Sequence, residues 1–164
     1  MTQQRPQGPD LPRAARTVRE QLDAHGISAE IRVLPDVAKT AKRAAEVLGC
    51  PVAAIANSLI FLADGEPLLV MTSGAHRVDT AALAARIGAR EITRASPEDV
   101  RAATGQAIGG VAPLGHPAPV RTLVDESLAD HPVLWAAAGA PETIFPMSFE
   151  ELCRITGGRV LPVT

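Results

Sequence analysis

Ile55-Ala56-Asn57-Ser58-Leu59-Ile60-Phe61-Leu62, then Ala63-Asp64-Gly65-Glu66, then Pro67-Leu68-Leu69-Val70-Met71-Thr72, decides the fold of this 164-residue chain. Two apolar runs flank Asp-Gly, a pair that tolerates positive φ and closes antiparallel hairpins. The first run is apolar at odd and even positions alike, which predicts a strand buried on both faces. Only Asn57-Ser58 interrupts it. By period-2 alternation Asn57 shares a face with Ile55, Leu59 and Phe61.

Upstream, Ala41, Ala44, Ala45 and Leu48 recur at helical spacing behind Thr40, an N-cap residue, and stop at Gly49. Pro35-Asp36 reads as a turn, and Ala29 to Leu34 alternates as a half-buried strand. Leu11 to His25 carries another helical stripe, and residues 1–10 read as a frayed polar tail. Downstream, Asp79 caps a helix over Thr80–Ile87, Glu91-Ile92 is a short strand, and Ser96-Pro97-Glu98-Asp99 opens a helix that ends at Gly105. Strands follow at Val120–Val124, Val133–Ala137 and Thr143–Phe145. A helix capped by Ser148 and a strand over Arg159–Val163 close the chain. No repeat or linker divides residues 11–164. The pattern predicts a single α+β domain with a mixed, mostly antiparallel sheet flanked by helices.

Composition narrows the function. Three Phe, one Trp and no Tyr weigh against base stacking on aromatic rings. The net charge of −2 gives no global basic field, and the cations are nearly all Arg, the lysines being Lys39 and Lys42 alone. Cys50 and Cys153 have no metal or CxxC spacing and read as free thiols of a reducing compartment. No signal-peptide pattern precedes the first helix, and no apolar run is long enough to span a bilayer. A cytoplasmic protein without a membrane partner is expected.

Chemistry has few candidates. The four histidines are scattered, so no metal site is predicted. No nucleophile elbow, P-loop or dinucleotide fingerprint is present, so no cofactor is predicted. Gly109-Gly110-Val111-Ala112-Pro113-Leu114-Gly115-His116-Pro117 is a stiff Gly/Pro loop with uncommitted main-chain N–H groups. It reads as a tight turn or as the main-chain wall of a pocket. Asn57 reads either as a bonded core amide or as a polar group projecting into a pocket. His76 and Arg77, beside the Asp79 cap, read as solvated residues or as phosphate contacts.

The order of these motifs resembles the YbaK/prolyl-tRNA editing-domain family, the ProX-type aminoacyl-tRNA deacylases. The similarity runs through Thr40-Ala41, Ala44 to Gly49, Ile55 to Phe61, Gly74 to Asp79, Ser96 to Val100, Gly109 to Gly115, Val124 to Leu128 and Ala138-Gly139-Ala140. It implies a curved α+β sheet domain that acts in trans, without metal, on the ester of a mischarged tRNA, with aminoacyl-tRNA and prolyl-tRNA synthetase as partners. The family's G-x-x-x-P loop maps onto Gly109 to Pro113. That mapping gives Gly109 and Gly110 the role of oxyanion donors to the ester carbonyl. Val111, Ala112 and Pro113 then contact substrate, with Thr40, Ser58, His76, Arg77 and Gly139. Asn57, a catalytic candidate, stands where many members carry Lys. That departure leaves a non-catalytic module that binds aminoacyl-tRNA or a small metabolite as the alternative.

Overall fold

The computed structural model describes residues 11–35 and 40–164; the predicted tail, Asp36 and Lys39 lie outside the described residues. Five helices, α1 (Arg13–Ala24), α2 (Ala41–Leu48), α3 (Thr80–Ile87), α4 (Pro97–Thr104) and α5 (Phe149–Thr156), flank one sheet. Its strands are β1 (Arg32–Val33), β2 (Ile55–Ala63), β3 (Glu66–Ser73), β4 (Ile92–Arg94), β5 (Arg121–Asp125), β6 (Leu134–Ala137), β7 (Thr143–Met147) and β8 (Arg159–Leu161). The order is β1-β7-β6-β2-β3-β5-β8, with β4 also on β2.

The predicted mixed α+β sheet is the observed one. The β2–β3, β2–β4, β6–β7 and β1–β7 pairs are antiparallel, and β2–β6, β3–β5 and β5–β8 are parallel. The hairpin register pairs Ala56 with Ser73 through Ala63 with Glu66. Thr40, Asp79, Ser96 and Ser148 each accept the predicted cap bond from the first turn of their helix. The first predicted strand shrinks from Ala29–Leu34 to Arg32–Val33, at the sheet edge, where only β7 pairs with it.

Period-2 alternation sorts the strands into two faces. On one, Ala56, Ile60, Leu69, Met71, Val124 and Phe145 pack with α1, α5 and the Val111–Leu114 loop. On the other, two separate clusters form. Ile55 and Ile144 lie with Ala44 and Ala45 of α2, while Phe61, Leu68, Val70 and Leu123 lie with Leu83 and Ala84 of α3. Asn57 and Leu59 fall between these clusters. The expectation that β2 is buried on both faces is therefore corrected: Leu59 is 38% exposed and Asn57 is half-buried, because neither α2 nor α3 covers the middle of their face, and Ser58 on the opposite face is half-buried as well.

Leu69, fully buried at the centre of β3, tests this packing. Leu69→Ala is expected to cost about 2–5 kcal/mol through lost burial plus the cavity left behind, read from the urea unfolding midpoint.

Candidate active site

One edge of β2 is split between two strands. β6 pairs with it at Ile55 and Ala56, and β4 at Phe61, Leu62 and Ala63. Neither reaches Asn57 to Ile60. The Gly74 N–H to Ile55 C=O bond sets the alternation along β2. By that alternation the Ser58 peptide groups point away from β3 and into the opening.

A cavity of about 850 Å³ fills this opening. Its apolar walls include Ala41, Ala44, Ile55, Trp135 and Ile144; its polar lining includes Thr40, Asn57, Thr72, His76 and Thr143, with Arg77 and Arg94. Gly109 and Val111 border the same space. The size suits a ligand larger than one amino acid.

The sequence candidates separate into two groups. Thr40, Asn57, Ser58, His76, Arg77, Gly109 and Val111 line the cavity. Gly110, Ala112, Pro113 and Gly139 are buried behind it. Asn57 has no side-chain hydrogen bond among the described residues, whereas the Ser58 hydroxyl lies 3.2 Å from Met71 Sδ and the Thr40 hydroxyl caps α2. Of the loop's N–H groups, Gly110 donates to Ala107 C=O and Ala112 to Gln106 Oε1. Gly109 and Val111, the two residues of the loop that border the cavity, have no hydrogen bond on their N–H groups among the described residues.

Three features hold this wall in place. Gln106, 2% exposed, accepts from Ala112 N–H and donates from Nε2 to Leu114 C=O at 3.2 Å. His116 Nε2 donates to Ala112 C=O at 2.8 Å. Gly139 N–H donates to Gly110 C=O at 2.8 Å, and a Cβ on Gly110 would stand 2.4 Å from the Ala140 carbonyl carbon. The Gly/Pro loop and the 138–141 turn thus touch backbone to backbone.

A second polar cluster borders the cavity, assembled by strand pairing that residue spacing does not reveal. Asp125, 1% exposed at the end of β5, accepts from Ser73 N–H at 3.0 Å, Ser127 N–H at 3.0 Å and Ser127 Oγ at 2.8 Å. His76 Nδ1 lies 2.8 Å from Asp125 Oδ2 and Thr72 Oγ1 3.4 Å from it. Burial alone would raise the Asp125 carboxyl, but the bonds from Ser73, Ser127 and His76 outweigh it and hold the group below its ordinary value. Asp125-Glu126-Ser127 reads in sequence as a helical turn, and the short 3-10 turn over Glu126–Asp130 is there. What sequence lacked was the β3–β5 pairing that carries Asp125 to Thr72 and His76. Arg94 and Trp135 were hidden likewise inside short strands; Trp135 also receives the Arg32 guanidinium 5.0 Å from its ring centroid.

Among the described residues no cluster of His, Cys, Asp or Glu has a metal-binding arrangement, and no helix is long and apolar enough to cross a membrane. Cys50 and Cys153 are free thiols, and burial pushes both up.

A family model for the aminoacyl-tRNA editing domain matches residues 35–155. The chain belongs to that family. This editing domain is 35% identical over 104 residues to the proline--tRNA ligase of Leuconostoc mesenteroides subsp. mesenteroides, covering 63% of this chain and 18% of the ligase. To the proline--tRNA ligase of Levilactobacillus brevis it is 32% identical over 98 residues, 60% of this chain and 17% of the ligase. The editing domain thus spans less than a fifth of these curated relatives. A solved structure described as a candidate trans-editing enzyme for prolyl tRNA synthetase superposes with a TM-score of 0.87 at 36% identity, over 94% of this chain and 98% of the other.

Two outcomes test the wall. Gly110→Ala is expected to lose about 1–3 kcal/mol, because its methyl meets backbone that must shift. Gly109→Ala, with φ +86° but nothing within 4 Å, carries only the backbone strain and loses less. Thermal unfolding of both variants measures the difference. Burial holds the His116 imidazole below its ordinary value of 6.5, partly offset by the Ala112 bond. The unfolded chain therefore takes up this proton more readily. Its contribution to stability is complete above that value and is lost as pH falls below it. His116→Gln should show a smaller drop in Tm than the parent between about pH 7.5 and 5.5, the range in which histidines titrate.

Proposed function

We propose that the protein is a freestanding aminoacyl-tRNA deacylase that removes a small mischarged residue, alanine on tRNA(Pro) being the leading substrate. The observation that carries this reading is the meeting, in one cavity, of an unbonded Asn57 amide with two uncommitted main-chain donors at Gly109 and Val111. Ester hydrolysis builds negative charge on the carbonyl oxygen, and fixed N–H groups stabilise it without reorganising. The small walls Ala41 and Ala44 favour a short side chain, in the manner of an editing sieve.

The cavity volume leaves room for the terminal ribose and base beside the amino acid. Arg77 and Arg94 supply the only positive charges on its lining among the described residues and suit the adjoining phosphodiester. They offset the lysine missing at position 57. An Asn there can bond a ribose hydroxyl or the ester carbonyl but brings no charge. The likeness to proline--tRNA ligases supports tRNA(Pro) as the acceptor, prolyl-tRNA synthetase as the source of the mischarged substrate, and the cytoplasm as the place of action. The likeness to the candidate trans-editing enzyme for prolyl tRNA synthetase supports action in trans.

Hydrolysis of Ala-tRNA(Pro), set beside a panel of other mischarged tRNAs, tests the reading. The native chain is expected to release alanine, and Asn57→Ala to lower kcat/KM by roughly tenfold or more, the cost of one unmade bond to a buried polar group. Turnover should weaken steeply with salt at subsaturating substrate. Binding without release of any amino acid, with activity appearing only in Asn57→Lys, would make the protein a binding module instead.

A further inference from the structure

Hydrolysis needs a group that takes the proton from the attacking water. Among the described residues the ionisable side chains on the cavity lining are His76, Arg77 and Arg94. A guanidinium stays protonated and cannot accept. We propose that His76 is the proton acceptor for the water that attacks the ester, with Asp125 and Ser127 as its positioning residues. The proposal rests on the deacylase reading above and adds a named side chain to its chemistry.

Geometry carries it. Asp125 is ionised and can only accept, so the His76 Nδ1 facing it at 2.8 Å carries the hydrogen. Nε2 then holds the lone pair. It has no hydrogen bond among the described residues, and the His76 side chain is 34% exposed although its partner is 1% exposed. The free edge of the ring is therefore the accessible one, on a residue that borders the cavity. Ser127 Oγ donates to Asp125 Oδ1 at 2.8 Å and lies 3.3 Å from His76 Nδ1, closing a ring of three side chains. Ser73 N–H and Ser127 N–H fix the carboxylate from below. A carboxylate held in this way selects the imidazole tautomer and stabilises the imidazolium once it forms.

The step balances. As the water oxygen bonds to the ester carbon, one of its protons passes to His76 Nε2, and the carbonyl electron pair moves to the oxygen facing Gly109 and Val111 N–H. Collapse of the tetrahedral intermediate breaks the bond to the ribose oxygen. The proton on Nε2 goes to that oxygen, leaving free tRNA, the amino acid and neutral His76. The charged groups on the surrounding elements are Asp125 on β5, Arg77 on the same loop, Arg94 on β4, and Asp79 at the start of α3, whose carboxylate is committed to Ala82 N–H.

Steady-state deacylation of Ala-tRNA(Pro) by the full chain, measured across pH, tests the assignment. His76→Gln is expected to lower kcat by about 10²–10⁴-fold with KM changed only a few-fold, and to abolish the fall in kcat on the acid side. Imidazole added to His76→Ala should restore part of the rate, which a purely structural histidine would not allow. Asp125→Asn should lower kcat by up to roughly 10⁴-fold through the wrong tautomer. Ser127→Ala, a milder cut into the same ring, should change the pH profile while keeping the parent's circular dichroism. An active parent whose His76→Gln variant keeps the same rate and pH profile overturns this inference alone. A parent that deacylates no member of the panel overturns the deacylase reading and this inference with it.

Discussion

A strand edge can be paired only once along its length, and the architecture of this domain follows from how β2 spends its outer edge. β6 takes the start and β4 takes the end. Between them Ser58 and Ile60 turn their peptide groups away from β3, while those of Asn57 and Leu59 face it. On one face of the same strand, α2 covers Ile55 and α3 covers Phe61, and neither helix covers the interval. An edge gap and a face gap coincide at Asn57 to Ile60, and the cavity is the space they leave. Buried main chain needs partners.

The second constraint is electrostatic. Asp125 is a buried charge, tolerable because backbone and side-chain donors surround it. It joins the end of β5 to the end of β3 and to the loop before α3. The cluster belongs to the cavity wall, through Thr72 and His76, and to the scaffold at once.

Much of this was legible in the residues. Asp64-Gly65 announced the hairpin, and Thr40, Asp79, Ser96 and Ser148 announced helix starts, since cap chemistry is local. Asn57 could be singled out as a polar residue in an apolar run, Gly109 by its Gly/Pro loop, His76 and Arg77 by the loop at a helix entrance, and Thr40 as a cap whose contact with substrate the family resemblance implies. Arg94 and Asp125 stayed hidden because their roles come from pairing at a distance: Arg94 faces Phe61, and Asp125 reaches Thr72 through the parallel β3–β5 ladder. Sequence also could not say which N–H groups of the Gly/Pro loop remain free. That depends on Gln106 and on the turn closed by Ala107, both settled by packing.

Gly139 sits with φ +103°, and a Cβ there would stand 3.0 Å from the Ala14 carbonyl oxygen of α1. The turn behind the cavity therefore leans directly on the backbone of the first helix. Residues 11–34 fall outside the stretch that matches the family model, which begins at residue 35. The mechanical unit is accordingly larger than the recognisable one. α1 works as a splint: it contributes no residue to the cavity lining, yet it sets how far the rear wall can recede, so pocket depth is inherited from a helix that carries none of the motif.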